Sequence, residues 1–309
     1  HYPQPQAVEL KKVLSKKLEL KSENLIIGNG AAEIIYLLLD HLSADRVLLT
    51  APSFSEYEKA ALKIGAEIDY IYLKEKNHFA LKTDNIKKKM KKVDLIILNN
   101  PHNPTARLYN KDEIVDILKM AEKNNCYLFI DEAFIDFIKN SEKYSLINHI
   151  EDFDKLFILR SLTKFFAIPG LRLGYGVGNE KIISQLEKKR DPWTVNTLAQ
   201  KAGKTAINEK EFINKSVNKN IEEREFFHDS LKEFEELKVF EAAANFILIK
   251  LKNDLDVQLL ADQMGKRGII IRDCSNFRGL DNNFFRIAVK SREENIKLLK
   301  VLNDVLNKV

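Results

Sequence analysis

The residues best suited to chemistry lie in one short segment that contains an amine, two hydroxyls and a guanidinium. Lys164 follows Ser161 and Thr163 closely, and Arg172 comes shortly after it. An amine whose pKa is lowered by burial or by a neighbouring cation can act as a nucleophile. Hydroxyls and an arginine can bind a phosphate group. The segment therefore combines a candidate nucleophile with a candidate phosphate-binding group.

Three other polar features follow apolar runs or precede a helix. Asp131 ends the run at 127–130, Asn103 lies in the loop after 94–98, and Gly28-Asn29-Gly30 precedes a helix. Most of these residues have an ordinary explanation when taken alone. An Asp can cap a helix, a Gly-Asn-Gly step can be a plain turn, and a lysine such as Lys164 can extend its amine to solvent. Six of the 11 glycines fall at 28–30 and 170–178. Such clustering indicates that glycine is needed there.

Taken together, these features match the functional groups of pyridoxal 5'-phosphate. This cofactor has a phosphate, a protonated pyridine nitrogen, a phenolic oxygen and an aldehyde. Glycines at a helix start can admit the phosphate, an aspartate can hold the ring nitrogen protonated, and a lysine can bond to the aldehyde. The sequence therefore predicts a pyridoxal-phosphate site with no metal.

The elements that must position these residues alternate between short apolar strands and helices. Helices are predicted at 31–42, 55–64 and 111–123, and strands at 46–50, 67–73, 94–98, 127–130 and 155–159. Buried strands separated by helices are typical of a mainly parallel, doubly wound α/β sheet. Ligands of such sheets bind beyond the carboxyl ends of the strands, where the polar residues stand.

The pattern changes after about residue 208, which predicts a smaller α+β domain. It comprises a long helix at 209–237, strands at 246–251, 269–271 and 284–289, and helices at 255–265 and from 293 onward. We therefore expect a residual N-terminal segment at 1–20 on the small-domain side, a large cofactor-binding domain at 21–208 and a small C-terminal domain at 209–309.

Composition excludes several functional classes. Two cysteines, Cys126 and Cys274, make neither a disulfide framework nor a cysteine zinc site, which favours a reducing, cytoplasmic location. No apolar run reaches the ~18 residues of a membrane span, and the start His1-Tyr2-Pro3 is not that of a signal peptide. The net charge of +5 is spread among interspersed acidic residues, which argues against nucleic-acid binding.

The whole chain resembles the fold type I pyridoxal-phosphate enzymes, the aminotransferase class I/II superfamily. The resemblance rests on Asn103-Pro104-Thr105, Asp131-Glu132-Ala133 and Ser161-Leu162-Thr163-Lys164. Two families within it compete, histidinol-phosphate aminotransferase and threonine-phosphate decarboxylase. The segments DEAFIDFI at 131–138, PWTVNTLAQ at 192–200 and RDCSNFRGL at 272–280 are more similar to the decarboxylase, and the aminotransferase usually has Tyr at position 134.

The resemblance implies roles for individual residues toward the cofactor. Lys164 would bond to the cofactor aldehyde, Asp131 would pair with the pyridine nitrogen, and Asn103 would donate to the phenolic oxygen. Phe54 would stack on the ring. The cofactor phosphate would be held by Asn29, Gly30, Ala31, Ser161, Thr163 and Arg172.

The resemblance also implies residues for the substrate and a partner. Arg286 would bind the substrate carboxylate, Asn245 would lie near it, and Arg272 is the candidate for the substrate phosphate. Tyr2 would reach the cofactor of a neighbouring subunit, which implies a homodimer with shared sites. Relatives carry an N-terminal arm before the Tyr-Pro step that folds over the substrate, and this sequence starts at that step.

The resulting hypothesis is a decarboxylase that converts L-threonine O-3-phosphate to (R)-1-aminopropan-2-yl phosphate and CO2 in cobalamin biosynthesis. The first alternative is a histidinol-phosphate aminotransferase, which would use the same cofactor residues. The second is a non-catalytic binding or regulatory relative, against which the presence of Lys164 and Asp131 argues.

Overall fold

A seven-stranded sheet forms the larger part of the protein. The computed structural model describes residues 2–252 and 256–307. The spatial order of the strands is β1-β7-β6-β5-β4-β2-β3. Their bounds are β1 (Leu25–Asn29), β2 (Arg46–Ala51), β3 (Glu67–Tyr72), β4 (Leu95–Asn99), β5 (Tyr127–Asp131), β6 (Leu156–Ser161) and β7 (Leu173–Gly178).

Helices cover both faces of this sheet, which confirms the predicted doubly wound α/β fold. They are α1 (Val8–Leu18), α2 (Gly30–Leu42), α3 (Ser55–Lys63), α4 (Thr83–Met90), α5 (Lys111–Lys123), α6 (Leu162–Phe165), α7 (Glu180–Lys189) and α8 (Thr197–Asn208). Residues of α2, α3 and α7 pack in the apolar core on one face, and residues of α1, α4, α5 and α8 pack on the other. Strand β7 is antiparallel to both of its neighbours, whereas β2 to β6 pair in parallel.

A four-stranded antiparallel sheet follows in the C-terminal third. Its order is β10-β11-β9-β8. The elements are α9 (Lys210–Lys232), β8 (Leu237–Val239), β9 (Phe246–Leu251), α10 (Val257–Gly265), β10 (Arg272–Asp273), β11 (Phe284–Ala288) and α11 (Arg292–Leu306). A separate apolar core lies between this sheet and its helices, with Phe227, Ile249 and Phe285 fully buried.

The structure differs from the expected elements at several places. The apolar run 269–271 is not a strand, because the short strand β10 begins at Arg272 and Ile270 is 93% exposed. The long helix ends at Lys232, and residues up to 237 lead into β8. Several elements were not expected, namely strands β1, β7 and β8 and helices α1, α6, α7 and α8. The glycines of β7 disguise that strand. Leu255, where a helix was expected to start, lies outside the described residues, as does His1.

The N-terminal helix lies against the large sheet. Helix α1 packs on α8 and β1, and Leu10 and Leu14 belong to the apolar core of that sheet. The expectation that residues 1–20 lie on the small-domain side finds no support in these contacts. The limits of the three domains stay a prediction.

None of the helices within 2–252 and 256–307 has the length and apolar character that crossing a membrane requires.

Candidate active site

The carboxyl ends of neighbouring strands bring the predicted site residues to one edge of the large sheet. Asp131 ends β5, Ser161 ends β6, and α6 then carries Thr163 and Lys164. A cavity of about 260 Å³ opens at this edge. Nine predicted residues line it, namely Ala31, Phe54, Asn103, Asp131, Ser161, Thr163, Lys164, Arg172 and Arg286. The structure therefore places most of the predicted cofactor residues in one cavity.

The start of helix α2 is shaped by two glycines. Gly30 has a φ of +79°, and a Cβ at this position would lie 2.6 Å from Nη2 of Arg172. A Cβ on Gly174 would lie 2.7 Å from the backbone nitrogen of Ala31. Only glycine lets the Arg172 guanidinium and strand β7 approach the helix so closely. The N-terminus of α2 and a cation thus meet at one end of the cavity, which suits an anion.

Two hydroxyls complete this anion-binding end. Ser161 Oγ and Thr163 Oγ1 lie 2.7 Å apart, and both side chains are buried. The two hydroxyls hydrogen-bond to each other, and each can turn its proton toward a phosphate oxygen. Asn29 precedes the helix with an exposed side chain, and its backbone N–H donates to the Glu33 carboxylate.

Asp131 is held by two donors at the opposite end of the cavity. The Tyr57 hydroxyl donates to Oδ2 at 2.6 Å, and the backbone N–H of Ala133 donates to Oδ1 at 2.8 Å. Burial raises the pKa of Asp131, whereas these two hydrogen bonds and the charge of Lys164 oppose the rise. A cationic ring nitrogen placed beside this carboxylate would favour its ionised form.

A buried ion pair on the other face of the sheet keeps the two strand ends in place. Glu132 and Arg160 are the neighbours in sequence of Asp131 and Ser161, and their side chains pair at 2.7 Å. Ser145 donates to the same carboxylate at 2.8 Å. Because alternate residues of a strand face opposite sides, this network braces the ends of β5 and β6 while leaving the cavity side free.

Lys164 faces the cavity in a position that solvent can reach. Desolvation by the cavity walls lowers the pKa of its ammonium group, Arg172 and Arg286 lower it further, and Asp131 opposes them. Its Nζ lies 5.6 Å from the centre of the Phe134 ring. A larger neutral fraction makes the amine a better nucleophile.

Arg286 lies at the mouth of the cavity on strand β11. Its Nη1 donates to Oδ1 of Asn103, and its guanidinium lies 4.7 Å from the centre of the Phe246 ring. The hydrogen bond orients the Asn103 amide so that its Nδ2 donor end remains for another partner. A guanidinium in this position is suited to bidentate binding of a carboxylate.

Arg272 lies beside Arg286 but faces a different cavity. The two arginines are paired in register on β10 and β11. Arg272 lines an adjoining cavity of about 400 Å³, which shares Phe54 with the first. Its Nη2 donates to Oδ1 of Asn276 at 3.0 Å.

Two further predicted residues lie outside the cavity. Asn245 does not line it, and within the described part of the chain its buried Oδ1 has no hydrogen-bond partner. Tyr2 is 83% exposed and packs on Trp193, with ring centres 5.2 Å apart. Their roles toward substrate and partner subunit stay predictions.

Sequence reasoning missed Tyr57 and Asn99, which both line the cavity. Tyr57 is a core residue of α3, and no spacing in the sequence shows that its hydroxyl reaches Asp131. Asn99 directly follows the apolar run 95–98, so its place at a strand end was the signal that could have identified it.

The residues present fit pyridoxal 5'-phosphate. The two glycines let the Arg172 guanidinium and strand β7 come into close contact with the start of α2, which gathers a cation and a helix N-terminus at one place. The cavity has a cationic, hydroxyl-lined end, a carboxylate at the other end and a lysine between them. Phosphate, ring nitrogen and aldehyde each have a complementary group here.

The raised pKa of Asp131 predicts a pH-dependent stability in the cofactor-free protein. A carboxyl with a raised folded pKa stabilises the fold below its unfolded pKa of about 4, and this contribution is lost as the pH rises through the folded pKa. The Asp131→Asn variant does not titrate at this position. We expect its free energy of unfolding, relative to the unmodified protein, to increase as the pH rises above about 4.

Urea unfolding at a series of pH values measures this difference. Asp304→Asn, at an exposed position of α11, is the matched control and should show little change. A relative stability of Asp131→Asn that falls with rising pH would contradict the predicted sign.

The Tyr57→Phe variant is expected to bind pyridoxal phosphate about tenfold more weakly, because a hydrogen bond to a buried charged group is lost. Titration of the cofactor-free protein with cofactor measures this change. Tyr109→Phe is the control, since the Tyr109 hydroxyl is also buried but donates to the backbone oxygen of Phe79. Equal weakening in both variants would mean that the Asp131 contact is unimportant.

The fold and sequence are similar to those of known proteins. The family described as aminotransferase class I and II matches residues 1–302. A protein of Caldanaerobacter subterraneus subsp. tengcongensis, provisionally named a threonine-phosphate decarboxylase, is 41% identical over 97% of this chain and 82% of its own length. The histidinol-phosphate aminotransferase structure of Clostridium acetobutylicum is 36% identical, with a TM-score of 0.93 over 100% of this chain and 91% of that one. The L-threonine-O-3-phosphate decarboxylase structure of Porphyromonas gingivalis is 27% identical, with a TM-score of 0.87 over 99% and 91%. The chain belongs to the aminotransferase class I and II family.

Proposed function

We propose that this pyridoxal-phosphate enzyme decarboxylates L-threonine O-3-phosphate to (R)-1-aminopropan-2-yl phosphate and CO2, as a step of cobalamin biosynthesis. The observation that carries the proposal is the pair of arginines on neighbouring strands. Arg286 faces the cavity of Lys164, and Arg272 faces the adjoining one. A substrate with two anionic groups, a carboxylate and a phosphate, matches this arrangement.

The repulsion between the two arginines destabilises the fold unless an anion lies close to them. Like charges directly opposite each other on paired strands destabilise a sheet. Burial lowers the pKa of Arg286, and the charge of Arg272 adds to this effect. A dianionic or trianionic ligand removes the repulsion, so the site gains most from a substrate that carries both groups.

The chain's residues divide the work between binding and proton handling. Arg172, Ser161 and Thr163 anchor the cofactor phosphate, and Asp131 holds the proton at the ring nitrogen. The bound cofactor supplies the electron sink for the electrons released at the substrate Cα.

The two arginines orient the substrate and thereby select which of its bonds is cleaved. Arg286 holds the substrate carboxylate, and Arg272 holds the substrate phosphate. Two fixed anchors would define how the substrate is rotated about its Cα–N bond, and so which bond at Cα is presented to the cofactor for cleavage. Lys164 lies between the two ends of the cavity, where its amine can return a proton to Cα.

The decisive test incubates the protein with pyridoxal phosphate and L-threonine O-3-phosphate. Release of CO2 together with aminopropanol phosphate is the expected result. Loss of the amine that depends on an added 2-oxoacid, without CO2 release, would establish an aminotransferase instead.

A histidinol-phosphate aminotransferase is the second candidate function, favoured by the likeness to the Clostridium acetobutylicum structure. It would use the same cofactor residues and the same phosphate-binding arginine. It predicts formation of glutamate from 2-oxoglutarate when histidinol phosphate is supplied. Phe134 in place of the tyrosine usual in that family favours the decarboxylase.

A homodimer with shared sites in the cytoplasm is the proposed assembly. Tyr2, Trp193 and Leu198 are large apolar residues with 83%, 48% and 70% of their surface exposed. Exposed aromatic and aliphatic residues of this kind suit an interface between copies. In the dimer, Tyr2 would reach the phosphate of the cofactor in the other subunit.

A further inference from the structure

Asn99 is a buried polar residue of the cavity that none of the predicted roles uses. It ends strand β4 and is 3% exposed. Its side chain lines the same cavity as Asp131 and Lys164. Within residues 2–252 and 256–307, its buried Oδ1 has no hydrogen-bond partner. A buried acceptor without a donor is unfavourable, so its retention beside a cavity points to a donor on a ligand.

The position of Asn99 indicates which donor this is. Asn99 and Asp131 are register partners on the parallel strands β4 and β5, and both side chains face the cavity. Both oxygens of Asp131 already accept hydrogen bonds from Tyr57 and Ala133. The protonated ring nitrogen assigned to Asp131 is an N–H donor that would enter this same end of the cavity.

The next residue, Asn100, shows by contrast how a buried asparagine amide can be used within the fold. Asn100 is also fully buried, but its amide is used within the fold. Its Oδ1 accepts from the backbone N–H of Tyr109 at 2.9 Å, and its Nδ2 donates to the Tyr109 oxygen at 3.4 Å. Asn100 therefore shapes the loop, whereas the side-chain oxygen of Asn99, a residue that lines the cavity, has no partner among the described residues.

We propose that the side-chain oxygen of Asn99 is a second acceptor, beside Asp131, for the ring N–H of the bound cofactor. The inference rests on the proposed function only in taking pyridoxal phosphate as the ligand. A neutral carbonyl next to the carboxylate stabilises the same proton without adding a second negative charge to a buried site.

The test compares two cofactors that differ only at the ring nitrogen. Pyridoxal phosphate and 1-deazapyridoxal phosphate, which has C–H in place of the nitrogen, are titrated into cofactor-free protein and into Asn99→Leu. We expect the variant to bind pyridoxal phosphate about threefold to tenfold more weakly, with unchanged affinity for the deaza analogue. If Asn99→Leu does not fold, Asn99→Ala supplies the same comparison.

Asn24→Leu is the matched control. Asn24 is 4% exposed and also has a buried Oδ1 without a partner in the described part of the chain, but it precedes β1 at the opposite edge of the sheet. It should leave both affinities unchanged. Equal weakening of both cofactors in Asn99→Leu, or no weakening, would overturn the proposal. These binding outcomes are independent of whether threonine phosphate is decarboxylated, so a failure of the proposed reaction is recognised separately.

Discussion

Replacing Lys164 with alanine is expected to reduce the turnover of threonine phosphate by about four orders of magnitude. Lys164 is the one lysine among the described residues that line the cavity, so no other amine there can replace it. Its lowered pKa favours the neutral amine, the form proposed to bond to the cofactor aldehyde. On this proposal the variant would lose both the bond and the proton carrier next to the substrate Cα.

The fold should tolerate this change. The Lys164 side chain is in contact with solvent, and its ammonium is already disfavoured by partial desolvation and by two arginines, so its removal should change the free energy of unfolding little. Urea unfolding checks this expectation, and a turnover assay measures the loss of activity. Retained stability with lost turnover would show that the substitution impairs catalysis and not folding.

A second measurement identifies the covalent role directly. Borohydride reduction followed by mass spectrometry should show the cofactor attached to the unmodified protein and absent from Lys164→Ala. Lys155→Ala is the control, because Lys155 lies at the other end of β6, where it stacks on Tyr127 at 4.3 Å. Turnover above about 1% in Lys164→Ala, or cofactor attached to it after reduction, would refute the role assigned to Lys164.

Residues at the ends of apolar strands were accessible to sequence reasoning. Asp131 follows four apolar residues of β5, Ser161 ends β6, and Lys164 comes shortly after it. Because parallel strands end at one edge, the order of apolar runs and polar residues was enough to bring these side chains together.

Strand β7 shows why other parts of the fold were missed. Its sequence LGYGVG contains three glycines, and residues of this type are depleted in strands. The structure explains them by close approach: a Cβ on Gly176 would lie 2.5 Å from the Phe157 ring, and one on Gly174 would meet Ala31. The expectation that glycine was needed here was correct, but the reason is tight packing within a strand, which local sequence does not reveal.

In the second sheet, a strand was predicted where the structure has none. The run 269–271 is apolar enough to suggest a strand, yet pairing starts at Arg272, where the register with Arg286 is set by contacts distant in sequence. Tyr57 was missed for a similar reason, since the hydrogen bond of its hydroxyl to Asp131 joins residues of different elements. Tertiary contacts determine both the start of β10 and the partner of the Tyr57 hydroxyl. The spacing of apolar residues along the sequence gives no information about such contacts.

The register of Arg272 and Arg286 leads to the second large effect, on substrate discrimination. We expect the unmodified enzyme to prefer threonine phosphate over threonine, and Arg272→Ala to reduce this preference in kcat/KM by about a hundredfold. The reason is that Arg272 is assigned to the phosphate, which only one of the two substrates carries. Arg286→Ala should lower kcat/KM for both substrates alike, because both carry the carboxylate.

Arg278→Ala distinguishes a specific phosphate contact from a general loss of positive charge. Arg278 lines the same adjoining cavity as Arg272, but its guanidinium is paired with Glu58 at 2.6 Å and stacks on Tyr70 at 4.5 Å. A paired charge attracts an anion far less, so the preference for threonine phosphate should change little in this variant. If Arg272→Ala instead lowered kcat/KM for threonine and threonine phosphate equally, Arg272 would position the strand beside Arg286, and the substrate phosphate would bind elsewhere.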